Sequence, residues 1–237
     1  MRNDLIAFDN GWEFCLGPQD NCSIPESGWK KVDLPHDFSI EGSYDRDCDA
    51  DRRCGFLPGG IGWYRKHFNL DRESLELSGW QEKKVEIHFD GVYMNAQVWL
   101  NDRLLGEHHY GYTSFSFDLT KDLQLGENII TVKADNSKNP SGRWYTGSGI
   151  YRHVWISARS RTRIDREKVY IWQAEGSDHR PMLIAESAVI SDIQEPCGIL
   201  RINYRLFDPK RDLTASGFID DAIPGQVCPV ALTPSAV

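Results

Sequence analysis

The sequence contains no apolar run approaching the ~18 residues of a membrane-spanning helix, and its start, Met1-Arg2-Asn3-Asp4, lacks the apolar core of a secretory leader. A soluble chain with a cytoplasmic location is expected, with no membrane partner. Positive charge is also short. Lys and Arg total 27 against 35 Asp and Glu, a formal net charge of −8, which opposes a general grip on nucleic acid phosphates and removes nucleic acid as a partner. The six cysteines form no Cys-x-x-Cys pair, and no His stands at zinc-finger spacing, so neither a metal nor a cofactor is expected. Free thiols are the favoured reading, with a Cys48–Cys54 bridge the alternative in an oxidising compartment. There is no Gly-x-Ser-x-Gly elbow, and no Gly-Lys-Ser/Thr follows Gly59-Gly60-Ile61-Gly62, which is read as a turn allowing close backbone packing.

What the sequence does have is period two. Trp12, Phe14 and Leu16 alternate with Glu13 and Cys15, while Val85, Ile87 and Phe89 alternate with Glu86 and His88. Phe115, Phe117 and Leu119 repeat the pattern, and further runs cover 63–70, 96–100, 103–109, 128–134 and 152–156. Such alternation marks strands with one buried face. Asn101-Asp102 between apolar runs predicts a hairpin turn. A helical period is hardly present; Arg72 to Leu77 could form a turn or two. At roughly 150 residues per domain, 237 residues make one large domain or two small ones. The pattern divides them into a β-sandwich over 1–160, a basic connector over 159–163, and a second β series over 161–237. Strands of this series are predicted at 169–172, 182–190 and 198–207, followed by a weaker Pro- and Ala-rich stretch from Asp208, including a tail from Pro229.

Two connections are too long for simple turns, and long loops are where function concentrates. Asp135 to Tyr151 places Arg143, Trp144 and Tyr145 in a row among glycines. A sugar site needs a flat apolar face for ring C–H groups and fixed polar partners for hydroxyls, and this loop has both. The competing account makes Trp144 and Tyr145 a cap on the sandwich, with Arg143 paired to a carboxylate. His36 to Gly62 carries Asp45, Asp47, Asp49 and Asp51, like the start of a calcium loop. Ala50 stands where that loop needs glycine and Phe56 where it needs an acid, so a solvated charged loop is expected.

Several segments together resemble the N-terminal half of glycoside hydrolase family 2, the family of β-galactosidases and β-glucuronidases. They are Val32-Asp33-Leu34-Pro35-His36-Asp37, Leu57-Pro58-Gly59-Gly60-Ile61-Gly62-Trp63-Tyr64-Arg65, Phe89-Asp90-Gly91-Val92 with Val98-Trp99-Leu100-Asn101, and the run from Arg143 to Trp155. The resemblance covers about 10–160; from Ile164 the chain is similar, more weakly, to the start of the family's immunoglobulin-like domain.

The resemblance implies an all-β fold: a jelly-roll (galactose-binding-like) β-sandwich over 1–160, then a truncated immunoglobulin-like sandwich over 161–237. It also implies retaining β-glycosidase chemistry, using two glutamates on a (β/α)₈ barrel of about 250 residues. Only 77 residues follow Ser160, and the Asn-Glu dipeptide that carries the family's acid/base is missing, so no catalytic residue is assigned and the chain alone is expected to be inactive. Substrate-binding candidates are Arg143, Trp144 and Tyr145, with Asn136 a weaker one that could equally close the turn after Asp135. The Asp37 to Asp51 segment is expected on the rim, with no single residue assigned. Some relatives place an acidic sodium ligand where this chain has Arg143, which argues against that metal. The implied partners are a β-linked galactoside or related saccharide, the catalytic barrel of the same enzyme, and a second copy in a homo-oligomer. A free-standing carbohydrate-binding module and a structural sandwich are the alternatives.

Overall fold

The computed structural model describes residues 5–17, 23–48, 51–70, 83–138, 144–176, 179–193 and 199–233. The expected helical turn at 72–77, Asp49, Cys22 and Cys197 lie outside them. The chain is all-β, and it divides into two compact units, Met1–Arg159 and Ser160–Val237.

The first unit is a two-layer sandwich. Its larger sheet orders six strands as β3-β2-β4-β9-β6-β7: β2 is Trp12–Gly17, β3 Lys30–Val32, β4 Ile61–Leu70, β6 Ala96–Leu100, β7 Arg103–His108 and β9 Gly126–Asp135. The facing sheet orders four as β1-β10-β5-β8, with β1 Leu5–Ala7, β5 Lys83–Phe89, β8 Phe115–Asp118 and β10 Val154–Ser160. The core between them includes Trp12, Tyr64, Val85, Ile87, Phe89, Leu100 and Ile130, all fully buried. Each such side chain contributes about 1.5–3 kcal/mol by leaving water. This is the alternation read from β5, whose inward residues are all aliphatic or aromatic.

Strand β2 departs from it. Leu16 is 59% exposed while Cys15 is buried, because the 27–28 segment lies over the other face and the Cys15 thiol donates to the Ser27 carbonyl at 3.4 Å. The Asn101-Asp102 turn forms as expected between β6 and β7, with both residues at positive φ (48° and 67°), the signature of a type I′ hairpin.

The second unit pairs β11 (Thr162–Glu175), β12 (Pro181–Ser191) and β15 (Val227–Leu232) in one antiparallel sheet, and β13 (Ile202–Phe207) with β14 (Leu213–Ile219) in a hairpin. Val189, Ile202, Ala222 and Cys228 form its small core. Two expectations change here. The basic connector at 159–163 is nearly all strand, with only Arg161 between β10 and β11; alternation of Arg159, Arg161 and Arg163 suits a strand, and Arg163 donates to the Arg161 carbonyl and pairs with Asp192. The tail from Pro229 runs through strand β15 as well. Proline is tolerated because β15 lies at the sheet edge, where a missing N–H leaves no ladder partner unpaired.

Candidate functional site

Four segments of the first unit meet at one end of the sandwich: 36–41, 51–60, the exit of β9 at 135–138, and 144–149. The β4–β9 ladder brings the second and third together, since Ile61 pairs with Asp135 and the pairing runs one residue further. Asn136 N–H donates to the Gly60 carbonyl at 3.1 Å, and Gly60 N–H donates back to Asn136 Oδ1 at 2.9 Å. A Cβ on Gly59 would stand 2.6 Å from the Asn136 carbonyl, and one on Gly62 2.7 Å from the Phe38 ring, so the glycines do permit close packing as the sequence suggested.

Asn136 continues inward. Its Nδ2 donates to Ser148 Oγ at 2.7 Å. The Ser148 and Ser39 hydroxyls are 2.6 Å apart, and Ser39 gives its only proton to the Pro58 carbonyl at 2.7 Å, so Ser148 must donate to Ser39. Both ends of the Asn136 amide are thus engaged within the protein, and the turn after Asp135 is closed by Asp135 itself, which accepts from Ser137.

Asp37 is the hub of the same end. One carboxylate oxygen accepts the backbone N–H groups of Ser39 and Ser148, each at 3.1 Å; the other accepts the Tyr145 hydroxyl at 2.6 Å. Burial first, and then the hydrogen bond to Asp37 and the Asp37 charge, raise the Tyr145 phenol above its ordinary range, so it remains a proton donor. Trp144, next to Tyr145 in the chain, is 63% exposed. Its carbonyl accepts the Cys54 thiol at 3.9 Å, which ties the loop to the 3-10 turn at Asp51–Cys54. Cys48 and Cys54 are both free thiols.

Beneath the loop, Tyr64 Oη lies 2.9 Å from His36 Nδ1, and His36 Nε2 is 3.2 Å from Glu41 Oε1, while Glu41 Oε2 pairs with Lys30. Burial lowers the His36 imidazole from its ordinary range, with Glu41 opposing. Gly149, at φ +93°, exchanges both backbone hydrogen bonds with Tyr93, fixing where the loop returns to the sheet. Of the sequence candidates, the fold brings Trp144 and Tyr145 together on an exposed loop and places Asn136 in its scaffold; Arg143 lies outside the described residues. Asp37, Ser39 and Ser148 were not singled out. Asp37 closes the Val32–Asp37 motif, but nothing in sequence spacing announces a bond to a residue 108 positions away. Among the described residues, no group of three His, Cys, Asp or Glu side chains could hold a metal ion.

Residues 55–159 match the family described as glycosyl hydrolases family 2, sugar binding domain. A β-galactosidase (BoGH2A) of Bacteroides ovatus is 36% identical over 189 residues, 78% of this chain and 22% of that protein. A putative β-glucuronidase of Formosa agariphila is 39% identical over 167 residues, 69% of this chain and 16% of that one. Among solved structures, a glycosyl hydrolase family 2 member from Bacteroides cellulosilyticus superposes with a TM-score of 0.83 at 30% identity, over 99% of this chain and 31% of that chain. The chain thus spans about a fifth of the curated relatives it matches.

Proposed function

We propose, starting from a chain that carries the sugar-binding domain of glycoside hydrolase family 2, that it serves as the saccharide-positioning part of a retaining β-glycosidase of β-galactosidase type. In this reading the Trp144–Tyr145 loop forms part of the rim of the enzyme's sugar pocket. The observation that carries the reading is the Tyr145–Asp37 hydrogen bond, with an exposed tryptophan, Trp144, next in the chain. Together they offer a flat apolar surface for ring C–H groups and a fixed carboxylate for hydroxyls. Asp37 is held by two backbone N–H groups, so it keeps its orientation before sugar arrives.

Retaining hydrolysis needs two carboxyl groups about 5–5.5 Å apart, one acting as acid/base and the other as nucleophile. We assign neither to this chain, and place both on the family's catalytic barrel. The experiment is direct: the purified chain is assayed against nitrophenyl β-galactoside and β-glucuronide, and no turnover is expected. Turnover that co-purifies with the chain would refute the assignment. Galactose and lactose titrations followed by calorimetry separate the free-standing-module alternative, since an open rim buries too little of a monosaccharide to hold it at millimolar concentration. Saturable binding of galactose at the 144–149 loop would favour the independent module.

A further inference from the structure

A second feature of the first unit is concave. A cleft of about 660 Å³ opens between Asp90, which follows β5, the Tyr112-Thr113-Ser114 segment before β8, and Arg152, which precedes β10. Its volume falls in the range of small-molecule sites, about 300–1,000 Å³. The walls are held from behind. Asp90 accepts the Trp155 indole N–H at 2.8 Å, which orients its carboxylate, and Tyr151 Oη donates to the Gly111 carbonyl at 2.8 Å, which fixes the turn carrying Tyr112. The Arg152 guanidinium rests 5.3 Å from the centre of the Tyr151 ring and donates to the Asp90 carbonyl at 3.5 Å.

The aromatic content here is high and outward. Tyr110 is 60% exposed and Tyr112 40%; their rings meet edge to face at 5.7 Å, and Tyr112 packs against Tyr93 at 5.5 Å. Gly111 has no room for a side chain, because a Cβ there would lie 2.2 Å from the Tyr93 ring, so the turn is pressed onto that ring. A core-building role does not account for the half-exposed Tyr112 phenol in the lining of the cleft. One cation and one anion, neighbours in the lining, stand there with the hydroxyl-bearing Thr113 and Ser114. That combination recognises a ligand with many hydroxyls, ring C–H faces and no net charge.

We propose that this cleft is a second saccharide subsite, taking a neutral hexopyranose unit of an oligosaccharide, with Tyr112 stacking on the ring and Arg152 and Asp90 donating to and accepting from adjacent hydroxyls. It adjoins the Trp144–Tyr145 loop, because Tyr93 packs on Tyr112 and pairs with Gly149, but it is lined by other side chains and does not depend on that loop binding sugar. The test is amide chemical-shift mapping of the whole ¹⁵N-labelled chain with neutral β-galacto-oligosaccharides of three or more units. Saturable shifts centred on 110–114, 90–91 and 152 are expected. Tyr112→Ala, checked for an unchanged melting profile, should weaken binding about tenfold, equivalent to ~1.4 kcal/mol. Tyr112→Phe should retain most of it. Shifts confined to 144–149 would support the loop reading and overturn the cleft; no shifts with any neutral oligosaccharide would overturn the cleft while leaving the hydrolase assignment to its own assay. Tighter binding of an acidic oligosaccharide than of its neutral counterpart would overturn the charge argument.

Discussion

Replacing Gly149 with alanine tests whether the loop at the candidate site is held by steric fit against the core. Two costs are separable. Gly149 has φ +93°, and left-handed backbone costs an L residue about 1–2 kcal/mol. An added Cβ would also lie 2.0 Å from Tyr64 Oη and 3.1 Å from the Phe38 ring. Tyr64 is fully buried and its hydroxyl faces His36 Nδ1 at 2.9 Å, so the phenol cannot withdraw without breaking that contact. Overpacking of this kind costs about 1–3 kcal/mol, giving roughly 2–5 kcal/mol for Gly149→Ala. Gly126 supplies the control: its φ is +89°, and nothing lies within 4 Å of its would-be Cβ, so Gly126→Ala carries only the backbone cost. Urea unfolding followed by tryptophan fluorescence reads the first unit, because seven of the eight tryptophans precede Arg159. Thermal melts should agree, at about 2–4 °C per kcal/mol in a unit of this size. Equal destabilisation of the two variants would refute the steric part of the reasoning.

Three further outcomes follow from the same contacts. Leu100→Ala, in the core, should cost about 2–5 kcal/mol, whereas Leu16→Ala, at a 59% exposed position, should stay within about 0.5 kcal/mol by urea denaturation; comparable losses would mean that Leu16 is packed. Asp37→Asn turns an acceptor of three hydrogen bonds partly into a donor, and should cost about 1–3 kcal/mol and speed hydrogen exchange at the Ser148 amide; unchanged Ser148 protection would show that Asp37 does not hold the loop. Because burial keeps the folded His36 below 6.5, the unfolded chain binds the proton first as pH falls. Its contribution is complete above 6.5 and is lost on acidification toward the folded value, so His36→Gln should flatten the fall of urea midpoints below 6.5; an unaltered slope would exclude His36.

The all-β class and the strand positions were readable because alternation is local. In β5 and β6 every second side chain enters a core, and Asn101-Asp102 has the residues a left-handed turn needs. Reading failed where a strand's surroundings, not its own residues, decided the outcome. Cys15 is buried because the segment at 27–28 covers it, and Pro229 sits in a strand because that strand is an edge. The Trp144–Tyr145 loop was visible as a composition, but its geometry was not.

From the sequence alone came the class of the fold and the run of motifs that marks the family. These rest on residues close together in the chain, whose period and order survive without coordinates. Only the tertiary structure decided that Asn136 belongs to the scaffold, that Asp37 reaches Tyr145, and that Asp90, Tyr112 and Arg152 line one cleft. Each of those joins segments far apart in sequence, and such meetings are set by how two sheets pack, which no local pattern encodes.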